Sequence, residues 1–240
     1  MSGRATLGQD YFDAIYARDP DPWHFATSAY EAAKYGATLA ALPKRRYRRG
    51  LEVGCSIGVL TEQLAGRCES LLAVDMVELA LDQARRRCAG RGGLEFARMQ
   101  LPQQLPAGRF DLILLSEVAY YWSAQDLDRV AAFAERVLDP AGDIVLVHWI
   151  GETDYPLSGD AAAERFVALA DGFCRIVHRA RRDRYRIDVL QRRGGEAGLC
   201  PQPRDDEARG GDLVRQLARG ERDAGQRRIL RFDDRPRLVE

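Results

Sequence analysis

Leu51-Glu52-Val53-Gly54-Cys55-Ser56-Ile57-Gly58 is the stretch on which the fold turns. Residues 50–55 read as a short strand ending in a turn, and Ile57 to Ala65 carries on with helical spacing. Such a turn brings the backbone close to a ligand. Glycine permits that approach, which is the physical use of Gly54 and Gly58. The turn also stands at the carboxyl end of the first strand of the pattern, where doubly wound α/β sheets bind their ligands. A dinucleotide site asks for G-x-G-x-x-G, with amides at a helix N-terminus reaching a pyrophosphate. Here Ser56 stands at the second glycine position and nothing completes that triad.

Strand and helix alternate on the carboxyl side of the loop. Leu71 to Asp75 reads as a buried strand, Val77 to Cys88 as a helix, Leu94 to Arg98 as a weaker strand and Phe110 to Leu115 as a strongly apolar one. Gln125 to Leu138 has helical spacing, and Ile144 to Trp149 is again a buried strand. Continuous apolar runs of this length suit central parallel strands covered by helices on both faces. Beyond Trp149 the pattern predicts a loop over 151–156 and a helix from Asp160 to Ala170 capped by Asp160. Two strands follow, Phe173 to Arg179 and Arg184 to Leu190, joined by a charged hairpin.

On the amino side, Asp19-Pro20-Asp21-Pro22 interrupts an aromatic-rich segment. A short helix, Tyr11 to Ala17, precedes the break. A longer one, Ser28 to Leu42, follows it, with Ser28 as N-cap, Glu31 three residues on and Pro43 past its end. From Arg192 onward Gly, Arg, Asp and Glu dominate, and a mobile tail is expected, with Leu213, Val214 and Leu217 marking at most one short helix. The chain thus divides into an N-terminal helical lid over 1–44, a Rossmann-like domain over 45–192 and a tail over 193–240.

The 240 residues suffice for one substantial α/β domain. Lys+Arg and Asp+Glu both number 36, so no global field attracts a polyanion and nucleic acid is not an expected partner. The five cysteines show no C-x-x-C spacing. The start, Met-Ser-Gly-Arg, has no signal-peptide character, and no apolar run approaches the ~18 residues of a membrane span. A cytoplasmic protein with no membrane partner is expected.

Asp75 ends the second strand about 20 residues after the glycine turn, where a carboxylate can accept both ribose hydroxyls of a nucleoside. Taken alone it would also serve as a helix N-cap. With Glu52 two residues before Gly54, the loop resembles the E-x-G-x-x-x-G loop of class I S-adenosylmethionine (SAM) methyltransferases, Ser56 standing where many members have a middle glycine. SAM has no phosphates and needs no strict phosphate cradle. Phe110 to Trp122 resembles the fourth strand of that fold, whose end, Ser116-Glu117, faces the space between cofactor and acceptor. Leu138-Asp139-Pro140-Ala141-Gly142-Asp143 resembles the L-x-P-G-G turn before its fifth strand.

A closer resemblance is to the nodulation protein S (NodS-like) methyltransferases. It rests on Tyr11-Phe12-Asp13 with Asp21-Pro22-Trp23, the Leu-Glu-Val-Gly-Cys loop, Leu115-Ser116-Glu117-Val118 with Tyr120-Tyr121, and His148-Trp149 with Asp154-Tyr155-Pro156-Leu157. It covers roughly Tyr11 to Leu190 and leaves out the Arg-rich tail. The resemblance implies a seven-stranded, mostly parallel sheet in the order 3-2-1-4-5-7-6, its last strand antiparallel, with flanking helices. It implies SAM as cofactor and, because the family's namesake methylates the free amine of a de-N-acetylated chitooligosaccharide, a small-molecule acceptor of amino-sugar type. An O-methyltransferase acting on a small hydroxylated metabolite, a non-catalytic SAM-binding module and a nicotinamide oxidoreductase are the competing readings. The missing third glycine speaks against the last.

An amine acceptor arrives protonated at neutral pH, so a base is needed. Glu117, past a central strand, is the first candidate, and His148, at the end of the fifth strand, is the second. His24 and His178 have no metal-ligand spacing with them, and no metal is expected. The cofactor set comprises Trp23 and Lys34 from the lid, Glu52, Gly54, Cys55 and Gly58 from the loop, Asp75 and Met76, Gln100 after the third strand, and Ser116. Lys34 is expected to meet the SAM carboxylate, and aromatic faces to meet the sulfonium. Tyr120, Tyr121, Trp149 and Tyr155 are the expected substrate contacts, aromatic faces being suited to sugar rings.

Overall fold

The computed structural model describes residues 4–194. Seven strands form one sheet in the order β3-β2-β1-β4-β5-β7-β6. They are β1 (Tyr47–Val53), β2 (Cys68–Asp75), β3 (Leu94–Arg98), β4 (Phe110–Ser116), β5 (Leu138–Trp149), β6 (Cys174–Arg181) and β7 (Tyr185–Arg192). The first five pair in parallel, while β7 runs antiparallel to both β5 and β6. The helices are α1 (Gln9–Arg18), α2 (Ala29–Ala40), α3 (Val59–Leu64), α4 (Glu78–Arg87), α5 (Ala124–Val137) and α6 (Gly159–Ala170).

The strand pattern has a direct packing cause. Residues i and i+2 of a strand share a face, and Leu112 and Leu114, Val145 and Val147, and Ile187 and Val189 pack as one cluster with Tyr35 of α2 and Leu60 and Leu64 of α3. The alternate residues Ile113, Leu115, Ile144 and Leu146 are also buried, so both faces of the central strands are covered. That is why these runs are continuously apolar rather than alternating. Helix starts are set by hydroxyls: Ser28 accepts from the Glu31 N–H at 3.3 Å and Ser123 from the Asp126 N–H at 3.2 Å.

Two local expectations are corrected. Ser158, not Asp160, caps α6, accepting from the Ala161 N–H at 3.1 Å. Asp160 lies in the first turn and ion-pairs with Arg181 and Arg186. The turn expected over 138–143 is instead the irregular start of β5: Leu138 pairs with Phe110, the register then shifts, and Asp143 pairs with Leu112. Ala141, at φ +58°, absorbs that irregularity. The expected tail helix around Leu213 falls outside the described residues, as do Cys200 and nearly all of the expected tail.

In sheet order, β1 lies between β2 and β4. The chain winds outward from β1 to β3 on one side and returns to β4 on the other. This reversal opens a crevice at the carboxyl ends of β1 and β4.

Candidate functional site

The β1–α3 loop crosses that crevice with two left-handed glycines, Gly54 at φ +78° and Gly58 at φ +79°. A methyl group on Gly58 would sit 2.9 Å from Cα of Ala84, so only glycine lets α4 pack against the loop. A methyl group on Gly54 would sit 3.3 Å from Cβ of Val118, which places the loop against the segment that follows β4. Ser56, between them, is also left-handed, at φ +50°. Its N–H donates to Asp75 at 2.8 Å, and its hydroxyl meets the phenol of Tyr16.

Asp75 ends β2, and its other oxygen accepts from the Val77 N–H at 3.0 Å. The helix cap itself falls on Val77. Burial raises the Asp75 carboxyl above its ordinary range, and the backbone donors partly offset this. Glu52, deep in β1, is perturbed further: burial, reinforced by the Asp75 charge, pushes it up to about 8 despite the Thr61 hydroxyl. Its Oε2 has no hydrogen-bond partner among the described residues. An orphaned carboxylate oxygen, a loop turned at two left-handed glycines and a partly exposed carboxylate at the next strand end fit the ammonium, backbone approach and ribose of a SAM-type ligand. The buried thiol of Cys55 is pushed well above its ordinary range by its surroundings, so it enters as a lining atom rather than as a nucleophile.

Past β4 the chain turns at Glu117, held at φ +58°. Its N–H donates to Val147 O at 2.7 Å. One carboxylate oxygen is paired to the Lys34 ammonium, while the other accepts from the Tyr120 hydroxyl at 2.5 Å and the Trp149 N–H at 2.9 Å. Lys34 lies wholly buried, with Glu31 2.7 Å from its Nζ on the far side. The Tyr35 phenol is raised by burial and then by Glu31, Glu117 and Glu52, which marks how closely these carboxylates gather.

The structure places two of the expected residues in other contacts. Lys34, expected to meet the cofactor carboxylate, has its ammonium on two carboxylates, Glu31 and Glu117. His148 is fully buried and its Nε2 accepts from the Ala119 N–H at 3.1 Å, which occupies the lone pair a base would use. Burial lowers its pKa to about 4, and it stands neutral with Nδ1 protonated. The same hydrogen bond joins it to the short 3₁₀ turn of Ala119–Tyr121.

Three of the four aromatic residues expected at the acceptor gather into one cluster. Tyr120 stacks on Tyr155 at 5.3 Å, and Tyr121 meets both edge-on. Tyr120 is buried and directs its hydroxyl at Glu117, leaving the half-buried Tyr121 as the more accessible face. Trp149 serves Glu117 through its N–H, while its ring lies edge-on to Tyr30. Trp23 packs with Tyr16, Ile57 and Val77 over the loop, its buried Nε1 without a partner among the described residues. Met76 lines the same cluster. Gln100 follows β3 with its backbone hydrogen-bonded to Gln104. Ser116 ends β4 opposite Val147.

Tyr16 escaped the sequence reading. Its signal was there in the spacing of Phe12, Ile15 and Tyr16, the buried stripe of α1. Among the described residues no cluster of His, Cys, Asp and Glu is arranged to hold a metal, and no helix is long and apolar enough to cross a membrane.

A sequence model of the nodulation protein S (NodS) family matches residues 13–183. Nodulation protein S of Sinorhizobium fredii is 30% identical over 156 residues, 62% of this chain and 70% of that protein. The Bradyrhizobium diazoefficiens protein is 36% identical over 107 residues, 42% of this chain and 49% of the relative. The chain spans about half the length of the first of these curated relatives. A crystallised candidate methyltransferase from Pseudomonas syringae is 33% identical, with a TM-score of 0.59, over 69% of this chain and 100% of the other. The N-methyltransferase NodS of Bradyrhizobium japonicum, solved with S-adenosylhomocysteine (SAH), has a TM-score of 0.65 at 21% identity, over 76% of this chain and 97% of the other, and so shares the fold.

Proposed function

The chain belongs to the nodulation protein S family, and from that premise we propose that it is a SAM-dependent methyltransferase that methylates a free amine on an amino-sugar-type small molecule. The observation that carries this reading is the junction of two segments: the glycine loop with Asp75, and the turn bearing Glu117, which meet where Gly54 approaches Val118. One segment suits a nucleoside sulfonium and the other an acceptor that must lose a proton.

SAM, when bound, supplies a methyl group on a sulfonium, a good leaving group. The residues have three tasks. Glu52, Gly54, Cys55, Gly58, Asp75, Met76, Gln100, Ser116 and Trp23 hold the donor. Tyr121, with Tyr120, Tyr155 and Trp149 behind it, presents an aromatic wall to the acceptor. Glu117 receives the proton that the incoming ammonium gives up, so that the nitrogen lone pair can attack the methyl carbon in line. Of the two candidate bases, Glu117 is favoured because the His148 lone pair is already engaged.

The test combines binding and turnover. SAH should bind the wild type with micromolar affinity by calorimetry and should bind Asp75→Ala at least tenfold more weakly. De-N-acetylated glucosamine oligomers should accept methyl groups at their amines, about 100-fold more slowly in Glu117→Gln, with SAH binding kept. A folded wild type that fails to bind SAH would end the methyltransferase reading. Methyl transfer to hydroxyl groups alone would replace the amine acceptor by an alcohol.

A further inference from the structure

Lys34 and Glu117 lie 83 residues apart in sequence and meet as a buried ion pair. Burying an ammonium is costly unless charge and hydrogen bonds compensate it. Here two carboxylates compensate it: Glu31, one turn earlier on the same face of α2, stands 2.7 Å from Nζ, and Glu117 is paired to the same ammonium. Both Glu31 and Lys34 are fully shielded from solvent. Glu117 itself is a non-glycine residue at φ +58°, a conformation that persists only where the surroundings over-determine it. Contacts that do so include its N–H on Val147 O, the Lys34 ammonium, the Tyr120 hydroxyl and the Trp149 backbone N–H. Val147, Tyr120 and Trp149 belong to the sheet or to the turn that Glu117 itself begins, whereas Lys34 comes from the N-terminal segment and carries a full charge.

We propose that Lys34 is the positioning residue that holds the Glu117 carboxylate in place as an anion, with Glu31 as the counter-carboxylate that keeps Lys34 there. The inference rests on the reading of Glu117 as the proton acceptor. A chain that strips protons from ammonium groups needs its carboxylate ionised and aimed before the acceptor arrives. A fixed, buried cation paired to it does both. Helix α2 is thereby part of the acceptor site, although its lysine touches no substrate.

The experiment is the titration of Glu117 followed by carbon-13 NMR of glutamate-labelled protein, with Glu117→Gln to assign the signal. It needs no acceptor. Lys34→Met should raise the Glu117 midpoint by one to three pH units, and Lys34→Arg should return it to within about half a unit of the wild type. Lys34→Met leaves an excess of negative charge in a buried place, so the double variant Glu31→Gln with Lys34→Gln is made beside it; it removes one charge of each sign and should raise the midpoint in the same direction. With glucosamine oligomers as acceptor, the acid limb of the kcat profile should move up with the midpoint, while KM for SAM stays within about twofold. A midpoint unmoved in the folded variants overturns the proposal, because the Lys34 charge would then have no hold on the Glu117 carboxylate. A wild type that fails to bind SAH would instead sink the methyltransferase reading, a result separable from the titration.

Discussion

Binding of SAH at neutral pH should expel nearly one proton from the protein, and the proton should come from Glu52. Burial and the neighbouring Asp75 charge hold this carboxyl at about 8. At pH 7 it is therefore about nine-tenths protonated before ligand binds. Its Oε2 has no hydrogen-bond partner among the described residues. An opposite charge brought within about 4–6 Å lowers a carboxyl by roughly one to three units. If the ligand's ammonium takes that place and lowers Glu52 by about two units or more, Glu52 ionises, and about 0.8–0.9 proton is released at pH 7 but only about 0.5 at pH 8. The sign follows: release on binding means affinity rises with pH, and Kd should tighten about fivefold between pH 7 and pH 8. His148, at about 4, does not titrate in this range. The assay is calorimetry of SAH binding in buffers of low and high ionisation enthalpy, whose slope counts the protons. Glu52→Gln should abolish the slope. A wild-type slope near zero at pH 7, or the same slope in Glu52→Gln, would refute the reasoning.

Gly58→Ala should lower stability by about 3 kcal/mol in a urea or thermal melt. The new methyl group lands 2.9 Å from Cα of Ala84, and the residue must also keep a left-handed backbone at φ +79°; a loss under about 1 kcal/mol would show that the loop repacks freely. His148→Gln tests the buried imidazole. In the unfolded chain the histidine gains a proton below about 6.5, while in the folded protein it resists until about 4, so its contribution to stability falls by up to about 3 kcal/mol as pH drops through that window. Glutamine can still accept from the Ala119 N–H but does not titrate. The stability difference between wild type and variant should therefore shift steadily between pH 6.5 and pH 4, and a pH-independent difference would count against the assignment.

What the sequence disclosed was local. The apolar runs at Leu71 to Asp75, Phe110 to Leu115 and Ile144 to Trp149, and the glycine turn at 54–58, each carry their periodicity within a few residues, and each became the expected strand or turn. Asp75 was legible because its place at a strand end depends only on that strand. Lys34 was not, because its partner is 83 residues away and is chosen by how α2 lies across the sheet. His148 was recognised as a strand-end residue, but the donor that occupies its Nε2 comes from Ala119, 29 residues earlier. Around α6 the hydroxyl of Ser158 and the carboxylate of Asp160 both suited a cap. The ion pairs of Asp160 with Arg181 and Arg186 decided between them, and those form only once β6 and β7 are in place.

The buried carboxylates show why the crevice, and not some other part of the sheet, is the reactive end. Near the amino ends of the strands, Asp111 accepts from the N–H groups of Arg48 and Arg49 at 2.9 Å each. Asp143 accepts from Tyr47 and Gln191 at 2.9 and 3.2 Å. These oxygens are answered by groups of the neighbouring strands, and their effect is to pin β1 to β4 and β5 to β7. At the carboxyl ends the arrangement differs. Glu52 keeps an oxygen without a donor among the described residues, Asp75 is partly exposed beside a loop turned at two glycines, and Glu117 is paired with a buried cation. A carboxylate that only braces the fold needs donors and gets them, as Asp111 does. Leaving Glu52 short of one and supplying a buried lysine to Glu117 both cost stability in the empty protein, a cost that the proposed sulfonium and ammonium ligands would offset.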